Sequence, residues 1–158
     1  MWDETRMCST FAVTATESTY TLEFPYRRSL GPVISEFFTA LRDGQIVGVK
    51  TAGGKVLVPP LEYDPESGEA TTGEFVEVGP SGTVTGFAWV DEPMRQHPLQ
   101  QPFAWALVQL DGADTSMLHA VDAGSKDALS TGMRVRPRWR DERKGHITDI
   151  ECFEPEEG

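Results

Sequence analysis

The chain has 158 residues, with 25 acidic and 14 basic side chains and a formal net charge of −11. This length is typical of one domain with a core of its own. The negative charge disfavours binding to nucleic acid or to an anionic membrane surface, and no apolar run reaches the roughly 20 residues that a membrane span needs.

The two cysteines, Cys8 and Cys152, lie near opposite ends of the chain. Neither has a second cysteine or a histidine at metal-ligand spacing, so we expect free thiols. The first twenty residues carry acidic side chains where a secretory signal has a basic start and an apolar stretch. These observations predict a soluble, cytoplasmic protein that contacts no membrane.

Residues 1–18 are polar, rich in Thr and Ser and without periodicity, which predicts a flexible N-terminal arm. Residues 19–72 form the next predicted unit. At its start Tyr20, Leu22 and Phe24 alternate with polar residues, a pattern that predicts a short strand ended by Pro25.

A helix is predicted over "GPVISEFFTALRDG", where Pro32 stands in the first turn and Gly44 follows the end. The apolar residues at helical spacing are Val33, Ile34, Phe37, Phe38 and Leu41. The stretch that follows, "GVKTAGGKVLVPPLEYDPESGE", has a glycine pair, a short apolar run, two prolines and a second turn at Asp64-Pro65. It has the outline of two facing metal knuckles, but it contains no cysteine.

Residues 73–155 are dominated by short strand patterns separated by glycines, and no helices alternate with them. The predicted strands are "GEFVEV", "GTVTGFAWV", "FAWALVQL", "SMLHAVDA", "MRVRPRWR" and "ITDIECFEP". We therefore predict a mainly β protein whose second part is an antiparallel barrel of the OB type. Residues 156–158 form an acidic tail.

One strand pattern carries a basic stripe, because its arginines recur at every second position. These are Arg134, Arg136, Arg138 and Arg140. One interpretation is a clamp for the phosphates of nucleic acid or coenzyme A. The other is an edge strand protected by charge, which Pro137 in its middle favours.

Other candidate groups favour structural roles. Phe87 with Trp89, and Phe103 with Trp105, share a face within their strands, as where neighbouring strands line a barrel interior, which favours a core or interface role over a base-stacking platform. His97, His119 and His146 fall on three separate segments, so no metal site is predicted. Glu66, Asp91 and Glu92 are acids on turns, where carboxylates are usually solvated. No catalytic residue is assigned.

The order of these features resembles an acyl-CoA-associated family that joins a rubredoxin-like zinc ribbon to an OB-fold and occurs beside thiolases. The resemblance rests on "ISEFFTALRDGQIVG", "VPP", "GTVTGFAWV", "QPFAWALVQLDG" and "GMRVRPRW", and covers residues 31–155. Alignment on Pro59-Pro60 places Lys50, Gly53, Asp64 and Ser67 at the four zinc-ligand positions. The resemblance therefore implies a degenerate ribbon without zinc, which something other than a metal must hold.

The resemblance also implies a function. Members of this family act with a thiolase-like or lipid-transfer-type chain. The resemblance therefore implies a hetero-oligomer in which that partner chain holds the catalytic groups. The implied complex is an aldolase (a lyase) or a thiolase (an acyltransferase) acting on a coenzyme A thioester in steroid side-chain degradation. This chain is then a required, non-catalytic subunit with no cofactor of its own. The alternative is an OB-fold module that binds single-stranded nucleic acid.

Two sets of residues are candidates for these contacts. The predicted phosphate-binding residues are the arginine stripe, Arg134, Arg136, Arg138 and Arg140, with the earlier pair Arg27 and Arg28, because guanidinium groups bind phosphate bidentately. The predicted partner interface is the apolar surface of the knuckle stretch. It comprises Val56, Val58, Pro59, Pro60, Leu61 and Tyr63. A surface loop without a partner is the other interpretation of this stretch.

Overall fold

The structure is a computed structural model that describes residues 18–27 and 29–156. It is mainly β, as predicted, with one helix near the N-terminus. The elements in chain order are α1 Gly31–Arg42, β1 Val47–Lys50, β2 Val56–Leu57, β3 Phe75–Glu77, β4 Gly82–Val90, β5 Phe103–Leu110, β6 Ser116–Val121, β7 Arg134–Trp139 and β8 Ile150–Pro155. Two 3-10 turns, Lys126–Ala128 and Ile147–Asp149, precede β7 and β8.

Helix α1 forms where the apolar spacing predicts it. Phe37 and Leu41, one turn apart, are buried in the main core. The N–H of Gly44 donates to the carbonyl of Leu41 at 3.0 Å, and its φ of 78° ends the helix in the left-handed conformation that glycine adopts without strain. Because Phe37 and Leu41 belong to the core that the barrel strands form, one face of the helix lies against the barrel.

The strand predicted around Tyr20, Leu22 and Phe24 is wrong. Residues 18–27 belong to no strand or helix, and all of them are exposed. Alternation alone does not make a strand, since a strand also needs a neighbour for its backbone groups. The arm predicted over residues 1–18 lies outside the described residues except for residue 18. No helix in the described part of the chain is long and apolar enough to cross a membrane.

A small antiparallel sheet in the order β2-β1-β3 follows the helix. Val49 of β1 pairs with Leu57 of β2 and with Phe75 of β3. Gly48 permits the close approach of β2, because a Cβ at this position would lie 2.9 Å from the carbonyl oxygen of Leu57. β3 thus completes this sheet, although the sequence placed it in the barrel unit.

The barrel is closed in the order β4-β5-β6-β8-β7 and confirms the predicted OB-type architecture. Neighbouring strands are antiparallel except β6 and β8, which pair in parallel at Val121 and Phe153. The inward faces of the strands share one core with α1. Its largest fully buried members include Phe37, Phe153, Leu110, Met117 and Ile150.

Candidate functional site

The arginine stripe lies on the outside of the barrel, on β7. Val135 is fully buried, whereas Arg134 and Arg136 on either side of it are exposed, which confirms the predicted alternation. A register irregularity separates Arg138 from Trp139. Arg140 follows the strand, and its Nε donates to the carbonyl of Thr148 at 2.8 Å.

Three of these arginines are already paired with carboxylates of the same chain. Arg134 donates to both oxygens of Asp111 at 2.6 Å, and also meets Glu156 at 3.3 Å. The bond from Arg134 lowers the pKa of Asp111, while Asp111 in turn raises the pKa of Arg134. Arg136 pairs with Glu154 at 3.0 Å. A phosphate at this surface would therefore have to displace carboxylates.

Arg138 is the centre of the densest charge cluster. It lies 2.9 Å from Glu151 and 3.3 Å from each of Asp122 and Glu154. Partial burial acts to lower the pKa of Arg138, but its carboxylate partners outweigh burial and raise it. Arg138 is the ladder partner of Cys152, whose thiol is fully buried, and burial raises the pKa of Cys152 to about 12. This thiol is therefore not a nucleophile at neutral pH.

The edge-strand interpretation of the arginine strand is wrong for its first two residues. β7 lies between β4 and β8 in the closed barrel, and Arg134 and Val135 pair with Thr83 and Gly82. The β4 ladder ends there, so Pro137 faces β8 on one side and no strand on the other. This explains how a proline, which lacks an N–H, is accommodated inside a barrel strand.

The other predicted phosphate-binding residues have different surroundings. Arg27 is exposed and Arg140 has no carboxylate within salt-bridge distance among the described residues. Arg28 lies outside the described residues. Phosphate binding by the six arginines stays a prediction. Within residues 18–27 and 29–156, Arg27 and Arg140 form no salt bridge with a carboxylate, whereas Arg134, Arg136 and Arg138 are ion-paired.

The aromatic pairs do not share one surface. Trp89 packs on the main core, but Phe103 belongs to a second cluster on the outer side of the barrel with Leu99, Ala120 and Cys152. Trp105 packs on this second cluster. The core interpretation of Phe103 and Trp105 is therefore confirmed, but their core is this second cluster and not the main one. The second cluster joins residues of β5, β6 and β8 with Leu99 of the loop before β5, and alternation within one strand does not show which distant residues meet.

The buried polar side chains of the described part all serve the backbone. Asp149 accepts bonds from the N–H groups of Lys144, Gly145 and His146 at 2.7 to 3.0 Å. Burial acts to raise the pKa of Asp149, but these donors outweigh it and lower the pKa. Burial lowers the pKa of His119, whose ring nitrogens lie 3.4 Å from two carbonyl oxygens. The sequence did not single out Asp149.

The four residues that the resemblance aligns with zinc ligands have local roles in this structure. The Lys50 ammonium pairs with Glu74, and Gly53 lies in the first turn. Asp64 Oδ1 accepts from the N–H of Glu66 at 2.9 Å, and Ser67 Oγ accepts from the N–H of Glu69 at 3.2 Å. These side chains secure the turns that a metal would otherwise fix. No group of three or more metal-ligating side chains occurs within residues 18–27 and 29–156.

One ion pair joins the two turns of the knuckle. The ammonium of Lys55, after the first turn, lies 2.6 Å from both carboxylate oxygens of Glu66 in the second turn. The same contact raises the pKa of Lys55. Both side chains are exposed, so the pair contributes little to stability.

The knuckle is anchored to the barrel through the predicted partner surface. Val58 is buried in the main core, and Pro60 is also buried. The Thr115 hydroxyl accepts from the N–H of Val58 at 2.7 Å and donates to its carbonyl at 2.9 Å. The prediction of Val58 and Pro60 as interface residues is corrected, since this chain already covers them.

The remaining residues of that surface differ in exposure. Val56 is half-buried, whereas Pro59, Leu61 and Tyr63 are exposed. Their contact with a partner stays a prediction. Sequence reasoning also missed Thr115, and no local signal marks it, because its bonding partner is 57 residues away.

The comparisons with known proteins agree with this fold. Residues 75–140 match the family model described as the C-terminal OB-fold domain of ChsH2. The Ltp2-ChsH2(DUF35) aldolase contains a similar chain, with 21% identity and a TM-score of 0.59, and the match covers 82% of this chain and 98% of that one. A DUF35 family protein of unknown function from Sulfolobus solfataricus matches with 17% identity and a TM-score of 0.61, over 80% of this chain and 85% of that one. Curated proteins give no match.

These findings define the class of fold. Residues 75–140 are similar to the C-terminal OB-fold domain of ChsH2, and at these identities the solved structures show a common fold. The predicted resemblance to the OB-fold family that includes DUF35 is thereby confirmed.

Proposed function

We propose that this chain is an accessory subunit of a thiolase-like acyl-CoA enzyme, and that the complex is an aldolase or a thiolase. One observation carries the proposal. Residues 75–140 match the ChsH2 OB-fold domain. The structural match also covers 98% of a chain in a structure described as the Ltp2-ChsH2(DUF35) aldolase. The partner subunit and the chemistry are carried over from that likeness.

The geometry of the described residues supports an accessory role. The buried polar side chains Asp149 and His119 are directed at backbone groups, and the thiol of Cys152 is buried and protonated at neutral pH. A nucleophile or general base needs access to substrate and a pKa near the working pH. In this proposal the partner supplies those groups, and this chain shapes or completes the acyl-CoA pocket.

The proposed substrate is a coenzyme A thioester, and the steroid side chain is the proposed acyl group. Of the predicted phosphate-binding residues, Arg27 and Arg140 are the first candidates, because Arg134, Arg136 and Arg138 are ion-paired within the chain. The same pairing weakens the nucleic-acid alternative, since binding to single strands requires cations that are free to release counterions.

The proposal is tested by producing the chain with and without a thiolase-like protein of the same organism. Size-exclusion chromatography with light scattering is expected to show a hetero-oligomer that contains both chains. Separate elution of the two chains at micromolar concentrations would contradict it. Retention of a single-stranded oligonucleotide at low salt, reversed by added salt, would support the alternative instead.

A further inference from the structure

Residues 18–27 carry the most exposed large apolar side chains in the described part of the chain. The exposed fractions are 83% for Tyr20, 63% for Leu22, 74% for Phe24 and 83% for Tyr26. No backbone hydrogen bond between described residues joins this segment to the helix, the small sheet or the barrel. Four large apolar side chains therefore lie in water, although exposing apolar surface to water costs free energy.

The spacing of these side chains indicates how they are covered. They occupy positions 20, 22, 24 and 26, and a strand places such alternate side chains on one face. We infer that residues 18–27 are a docking strand, which becomes extended on binding and adds to an open sheet edge of a thiolase-like partner. This inference rests on the proposed function. The four apolar side chains then lie in a groove beside that edge.

Pro25 determines which edge of the docking strand can pair. In a strand, the N–H and C=O of successive residues point to opposite edges. Pro25 lacks an N–H, so one donor is missing from the edge to which the odd-numbered residues point their backbone groups. The edge formed by residues 20, 22, 24 and 26 keeps every donor. The docking strand can therefore pair fully with one neighbour and remains an edge strand on its other side.

The area available is sufficient for a specific complex. A buried aromatic side chain contributes about 150–250 Å², so the three aromatic side chains alone provide roughly 450–750 Å² of the roughly 800 Å² that one partner contributes to a standard interface.

A different protein fits this docking strand better than a second copy of this chain. The outer strands of the small sheet, β2 and β3, have two and three residues, too few to pair with it. The side of β4 that extends beyond its pairing with β7 is longer, but it ends at Asp91 and Glu92, whose charges disfavour an apolar strand from a second copy. Two copies that each carry a net charge of −11 also repel one another.

The inference is tested on the full chain with the thiolase-like protein of the same organism, with the dissociation constant measured by biolayer interferometry. The double variant Leu22→Ser/Phe24→Ser is expected to bind at least tenfold more weakly with an unchanged melting temperature, since the segment packs in no core. The matched control, Leu107→Ser/Leu118→Ser, changes two exposed residues that pair across β5 and β6. It is expected to bind as the wild type does.

Strand pairing is tested separately by proline substitution. Leu22→Pro removes an N–H from the pairing edge and is expected to bind at least fivefold more weakly than Leu22→Ala, while Glu23→Pro, on the other edge, is expected to bind as the wild type does. Equal affinity of Leu22→Pro and Leu22→Ala would overturn the strand pairing.

The outcomes distinguish the two proposals. If the wild-type chain binds the thiolase-like protein and the Leu22→Ser/Phe24→Ser variant binds equally well, the docking strand is wrong and the proposed function stands. If the wild-type chain binds no thiolase-like protein, both are overturned. If the wild-type chain forms a homodimer that the double variant disrupts, the partner named here is wrong.

Discussion

The barrel and the small sheet in front of it are held together in different ways. Barrel strands of six to nine residues surround one apolar core, whereas the small sheet has strands of two to four residues. Its turns are fixed by polar side chains such as Asp64 and by the anchor between Val58 and Thr115. The comparison teaches that a sheet of very short strands can be held by turns fixed with polar side chains and by attachment to a neighbouring barrel.

The largest expected effect is in the barrel core. Phe153→Ala removes a fully buried ring that packs edge-on against His119, with 5.5 Å between ring centroids. We expect a loss of about 3–5 kcal/mol in the free energy of unfolding, measured by urea denaturation with tryptophan fluorescence. Phe87→Ala, which changes a partly exposed ring on β4, is the control and should cost clearly less. Equal losses would mean that the core assignment is wrong.

A smaller effect is expected where β8 begins. Asp149→Asn removes the charge that accepts three backbone N–H bonds and should cost about 1.5–3 kcal/mol at pH 7. The pKa of Asp149 is lowered in the folded state, so its contribution is present above the unfolded pKa of about 3.9 and is lost as the pH falls through the folded value. Urea denaturation at pH 7, 5 and 3 should show the difference between variant and wild type shrinking. A constant difference would contradict this role.

The anchor between the two regions comes next. Thr115→Val keeps the shape of the side chain but leaves the N–H and C=O of Val58 without their partner, at a cost of about 1–2 kcal/mol. Thr115→Ser retains the hydroxyl and is the matched control. Hydrogen exchange should show faster exchange in β1 and β2 for the valine variant, with the barrel little changed. If serine and valine behave alike, the hydroxyl is not the anchor.

The smallest effect is expected inside the knuckle. A chelator should leave the melting temperature unchanged, because the described residues bring no three metal-ligating side chains together there. Lys55→Ala should change it by no more than the experimental error, since the pair with Glu66 is exposed. A clear fall in melting temperature on chelation would show that a metal does hold this region. The small sheet would then not be held by polar side chains and attachment to the barrel alone.

Periodicity in the sequence was enough to predict much of the fold. The spacing that includes Phe37 and Leu41 predicted α1, and alternation predicted β3 to β8 and the OB-type barrel. Alternation failed at Tyr20 to Phe24, because it describes one strand and carries no information about a neighbour.

The surroundings of the candidate residues could not be predicted in the same way. Arg134 is paired with Asp111 and Arg138 with Glu151, residues 23 and 13 positions away that only the arrangement of the barrel strands brings together. Val58 looked like surface because the knuckle was considered alone, yet the barrel covers it. Which residues share a surface depends on contacts between distant segments.

The measurement that tests the central claim most directly is an activity assay on three samples: this chain, the thiolase-like protein, and the co-purified complex. Retro-aldol cleavage and thiolysis of a steroid-derived coenzyme A thioester are followed in each. The account predicts turnover by the complex and none by this chain, with activity of the thiolase-like protein low until this chain is added. Full activity of the thiolase-like protein alone, unchanged by this chain, would contradict the claim that this is a required subunit.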